Sequence, residues 1–103
     1  MDENAIVSTV VISTVKMGLK AHKEHHAPVN VLIDAMSDTI MEMSALLGVE
    51  LIPEFKEGVR NGAANGLFVV DQEKNHYDNT FEKEVEIICT FIIDELERIA
   101  KGL

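Results

Sequence analysis

A chain of 103 residues, with 47% apolar and 26% charged side chains, suffices for one modest hydrophobic core and not for two, so a single domain over residues 1–103 is expected rather than a disordered chain. Its net charge of −9 is unevenly spread: Asp2, Glu3 and Glu24 cancel Lys16, Lys20 and Lys23 in residues 1–33, which leaves the entire surplus in residues 34–103. Such a surface repels phosphate backbones and anionic lipid, which argues against direct nucleic-acid and membrane binding and leaves a basic protein partner as the expected one.

The first apolar run, Ala5 to Val15, is eleven residues long, whereas a membrane-spanning helix needs about 20. The opening Asp2 and Glu3 lack the positive start of a secretory leader, and Cys89, the single cysteine, has no intrachain disulfide partner, so a cytoplasmic location is expected. By propensity the run favours a strand, because Ile6, Val7, Thr9, Val10, Val11, Ile12, Thr14 and Val15 are all β-branched. By periodicity it favours a helix: Val7, Val11, Val15 and Gly18 share one line, and Lys16, Lys20 and Lys23 lie opposite. With Asp2 as N-cap and Ala27-Pro28 as a stop, helix 1 is read over residues 3–26.

In the second segment Val29, Ile33, Met36, Ile40, Met43 and Leu47 are spaced 4, 3, 4, 3, 4, a heptad seam. Pro28 suits its first turn and Gly48 suits a left-handed residue just past its end. Asp34, Asp38 and Glu42 line up on the far face, with Met41 toward the same side and no basic residue within the helix to neutralise them.

Pro53 opens a short third helix whose Leu51, Phe55 and Val59 share a face and which Asn61-Gly62 is expected to end. Residues 61–78, rich in turn signals, read as a long connection that docks Leu67 to Val70 on the core. Helix 4 begins at a capping box, Asn79 with Glu82, and its seam is Phe81, Val85, Ile88, Ile92, Leu96 and Ile99. The stretch from Ile87 to Ile93 is apolar almost all the way round, so Ile87, Phe91 and Ile93 are expected to project from the core seam toward a second copy. The fold class expected is therefore all-α, a small antiparallel helical bundle of three long helices and one short, assembled as a homodimer.

Chemistry is concentrated in HKEHHAP, which holds three of the four histidines within residues 22–28. His22, His25 and His26 continue the apolar line of helix 1, so they are expected to face the core's margin. The i, i+4 pair His22 and His26 has the spacing by which one helix offers two imidazoles to a metal, but HExxH and paired ExxH motifs are absent; only His76, Asp34 or Asp38 could complete a set. Imidazoles in a last turn also serve the free carbonyls and the negative end of the helix.

The row Asp34, Asp38, Glu42 could form half of a Mg²⁺ site, but Glu82, Glu84 and Glu86 are spaced by two and splay over different faces. Cys89 sits in an apolar run that should leave its thiol inert, and the NGAANG turn lacks the lysine and the preceding strand of a phosphate loop. Asp71, His76, Tyr77 and Asp78 crowd the segment before helix 4 without matching a chemical pattern. No cofactor is expected. The function expected is a non-enzymatic acidic interaction module, of the inhibitor, immunity, anti-activator or chaperone-like kind, with Asp34, Asp38, Met41 and Glu42 engaging a basic protein partner. The alternative is a metal-dependent helical protein or hydrolase using His22 and His26 with nearby carboxylates.

Overall fold

The computed structural model describes residues 2–72 and 80–103. Among them the backbone forms α1 (Glu3–His25), α2 (Val29–Leu46), α3 (Glu54–Gln72) and α4 (Phe81–Lys101). The Asp2 carboxylate caps α1 by accepting a hydrogen bond from the Ala5 N–H at 2.8 Å. The β-branched run stays helical because one face of it is buried, with Val11 and Val15 fully covered and Val10, Thr14 and Leu19 beside them. Burial of a valine side chain contributes about 1.5–3 kcal/mol, more than the tenths by which β-branching disfavours a helix. His26, at φ 53° and ψ 38°, ends the helix in the left-handed region.

The buried stripe of α2 is Leu32, Ile33, Met36, Ser37, Ile40 and Ser44, which departs from the expected seam: Val29, Met43 and Leu47 at its ends are exposed. The straight helix drifts away from a strict seven-residue repeat, so the core side passes from residue 43 to residue 44. Gly48 follows at φ 94°, as expected, and returns Val49 to the core with its N–H on the Ser44 carbonyl.

The largest correction concerns the third element. Instead of a short helix ending at Asn61-Gly62 and a loop, α3 runs unbroken for 19 residues, so the bundle has four long helices. Its glycines are contact points. A Cβ on Gly62 would lie 2.6 Å from the Ile92 Cα and 2.8 Å from the Phe91 carbonyl oxygen, and one on Gly66 would lie 2.8 Å from the Ile88 Cα. Only a residue without a side chain lets α3 lie this close to α4. Ala63, Leu67 and Val70 lie on the same side and are buried against Ile88 and Ile92.

The N-cap of α4 is Thr80, one residue later than the expected capping box, and its hydroxyl accepts from the Lys83 N–H at 3.1 Å. Asn79, the expected cap, and most of the expected 61–78 connection beyond Gln72 lie outside the described residues. Each helix packs on two others, α1 on α2 and α4 and α3 on α2 and α4, which makes a helical bundle measuring 38 × 25 × 25 Å. None of the described helices is long and apolar enough to cross a membrane.

Candidate functional site

The last turn of α1, the last turn of α3 and the first turn of α4 meet at one end of the bundle around a cavity of about 440 Å³. His22, Lys23 and His26 face Asp71 and Glu84 across it, over Val70 and Ala27. The His22 Nε2 lies 3.3 Å from both carboxylate oxygens of Asp71, so Nε2 carries the proton and donates. Its Nδ1 is buried without a hydrogen-bond partner among the described residues.

Glu84 is the least expected member. Its side chain is 2% exposed, and the Lys23 ammonium approaches its Oε1 as an ion pair without hydrogen-bond geometry. Lys23 was expected opposite the core, together with Lys16 and Lys20. It lies on the flank of α1 that faces α4, so its long side chain can reach back to one of the three carboxylates that were expected to splay over different faces of helix 4.

The histidine cluster divides. His22 is largely covered, whereas His25 and His26 are exposed, contrary to the expectation that all three share the buried side. A helical wheel gives direction and not cover, and the left-handed His26 leaves the wheel altogether. Among the described residues no three His, Cys, Asp or Glu side chains come together as a metal-ion set. His76, Tyr77 and Asp78 lie outside the described residues.

The acidic row of α2 is met by cations from α3. Asp34 pairs with Arg60, and Asp38 takes the Lys56 ammonium at 2.8 Å. The Lys56 amine is held above its ordinary range, first by the hydrogen bond to Asp38 and then by that carboxylate's charge. Glu42 is exposed and Met41 half-buried. The row thus flanks the α2–α3 seam, which no reading of α2 alone could reveal.

Ile87, Phe91 and Ile93 do not project freely. All three are half-buried, with Ile87 and Ile93 packed against the core, and the Phe91 carbonyl lies beside Gly62. Ile93 faces α1, across the groove between the two helices, while the Phe91 backbone faces α3.

Between α1 and α4 lies a feature missed in the sequence, a groove of about 580 Å³. Val11 and Val85 form its floor, Ile12, Cys89 and Ile93 its walls, and Glu82, Glu86 and Asp94 its α4 rim, opposite Lys16 and Ser8. The sequence signal was present as two parallel ladders at i, i+4: Ser8, Ile12, Lys16 on α1 and Val85, Cys89, Ile93 on α4. Burial pushes the Cys89 thiol up to about 11, with Lys16 opposing slightly, which agrees with the inert thiol expected. Cys89 lines the groove and His22 lines the end cavity, so the chain's cysteine and its best-held imidazole do not form a nucleophile–base pair. No family model, curated protein or solved structure matches this chain.

Proposed function

We propose that the protein is a non-enzymatic acidic interaction module that binds a basic protein partner, in the manner of an inhibitor, immunity protein, anti-activator or chaperone. The observation that supports this reading is the state of the α4 carboxylates: Glu82, Glu86 and Asp94 are exposed along an apolar groove, and among the described residues none is in an ion pair. Carboxylates left unneutralised beside apolar surface favour a partner that brings both cations and apolar side chains. Of the α2 set, Glu42 and Met41 can take part directly. Asp34 and Asp38 would have to exchange Arg60 and Lys56 for the partner's cations.

Helices antiparallel to their neighbours and a cytoplasmic homodimer belong to the same reading. The three-residue connection His26–Pro28 supports the first, since so short a link favours reversal of direction. For the dimer, the exposed Val31 and Leu46 of α2, with Leu47 just past its end, give better support than Ile87, Phe91 and Ile93, and light scattering of the purified chain tests it.

Affinity capture with mass spectrometry tests the main reading, with the triple variant Glu82→Lys, Glu86→Lys, Asp94→Lys run in parallel. Native protein should enrich a basic protein at low salt, and the variant should lose it while its circular dichroism is unchanged. Equal capture by both forms would overturn the reading. The metal-dependent alternative rests on His22 beside Asp71 in the end cavity. A rise in Tm with Zn²⁺ that His22→Ala removes would support it, and a flat response would remove it.

A further inference from the structure

The groove between α1 and α4 has a shape that narrows the class of partner, and this inference rests on the interaction reading above while specifying it. We propose that the groove receives one amphipathic helix from a basic protein, its apolar face on Ile12, Cys89 and Ile93 and its lysines or arginines against Glu82, Glu86 and Asp94. Three properties of the groove carry this.

First, the lining is apolar at its centre and acidic at its rim, with Val11 and Val85 buried beneath and Lys16 as its single cation. A purely electrostatic surface would not keep a half-exposed Ile12 between its charges. Second, the groove continues lengthwise. A neighbouring cavity of about 370 Å³, lined by Asn4, Val7, Leu51, Phe55 and Leu96, shares Ser8 and Ile93 with it. From Asn4 to Lys16 the run along α1 is 12 residue steps, which at a rise of 1.5 Å each is about 18 Å, or about three helical turns. Third, the groove is bounded by helices on both sides and offers no sheet edge, so an extended strand would find no backbone partners there, whereas a helix satisfies its own.

The charge decides against a second copy of this chain as occupant. Two such grooves placed face to face would set Glu82, Glu86 and Asp94 against their own duplicates, in a protein whose net charge is already −9. A basic helix reverses that term.

The test is fluorescence anisotropy of a labelled 18-residue peptide of leucine and lysine, with leucines at helical i, i+3, i+4, i+7 spacing, titrated with the full chain. A peptide of identical composition in scrambled order and a leucine–glutamate peptide are the comparisons. The helical lysine peptide should bind at least tenfold more tightly than either. Glu82→Lys with Glu86→Lys, and separately Ile12→Ser, should each weaken it at least tenfold with circular dichroism unchanged. Equal binding of helical and scrambled peptides would overturn the groove and leave the acidic-module reading standing. Binding insensitive to Ile12→Ser would place the helix elsewhere and overturn the proposal. A homodimer by light scattering that Ile12→Ser dissociates would show a second copy in the groove and likewise overturn it. Failure to capture any basic protein in the earlier experiment, by contrast, would remove the functional reading itself.

Discussion

Toward α3, α4 lays its backbone against Gly62 and Gly66 with no side chain between them; toward α1, the same helix leaves a groove of about 580 Å³ with Ile12 and Cys89 half-open to solvent. One flank is closed at the level of backbone atoms and the other is held apart by side chains. The α3 flank is thus sealed by close backbone packing, whereas the α1 flank leaves apolar surface in contact with solvent.

Substitutions on the closed flank should break the molecule. Gly62→Ala puts a methyl group 2.6 Å from the Ile92 Cα, where no side chain can move aside, and should cost about 3 kcal/mol. At this chain length that lowers Tm by roughly 12 °C or more in thermal denaturation. Gly58→Ala sharpens the point, because the nearest atom is the mobile Cδ1 of Ile99. There the clash and the helix-propensity gain of about 1 kcal/mol should nearly cancel, leaving Tm little changed.

A second, smaller effect is expected where α1 is tied across the open flank. Lys23→Met strands the buried Glu84 carboxylate and should cost about 1–3 kcal/mol by urea denaturation. Adding Glu84→Gln should recover most of that loss, since the buried charge is gone. If the double variant is no better than the single, Lys23 acts through packing alone.

Smaller again is the response of Cys89 to pH. Its thiol stays protonated in the fold until about 11, against an ordinary 9.0, because burial disfavours the thiolate. As pH rises past 9.0 the unfolded chain loses its proton first, so this group lowers stability between 9.0 and about 11 and is silent below that window. Cys89→Ser should flatten that part of a stability-against-pH curve, and alkylation of the native thiol at pH 8 should be slow. The least effect is expected at Ser44, whose buried hydroxyl has no hydrogen-bond partner among the described residues. Ser44→Ala should raise stability by about 0.5–1 kcal/mol.

The sequence yielded the parts of the fold that depend on one helix at a time. Asp2 as a cap, the helical reading of a β-branched run and the left-handed Gly48 were legible because each is a local or periodic property. The parts that failed depend on a neighbour. Gly58, Gly62 and Gly66 are spaced at i, i+4, i+8, which is both a set of turn formers and a flat helix face, and only α4 lying against that face decides between them. Asp34 and Asp38 read as a free acidic row because their cations, Lys56 and Arg60, sit on α3, and the sequence does not show which face of α3 lies against α2. Glu84 read as one of three splayed carboxylates, and its burial follows from Lys23 reaching over from α1. The groove was harder still, since its two ladders lie at opposite ends of the chain.

That separation also bears on the order of folding. α3 and α4 are neighbours in the chain, so their tight interface forms at small loop-closure cost, whereas α1 must return across nearly the whole sequence to complete the ring with α4. The α1–α4 seam is therefore the contact expected to form last and open first, and hydrogen exchange of the α1 amides should report that opening. A partner helix laid in the groove would bridge α1 to α4 and slow that exchange, so the seam proposed to receive the partner is the one the partner would finish closing.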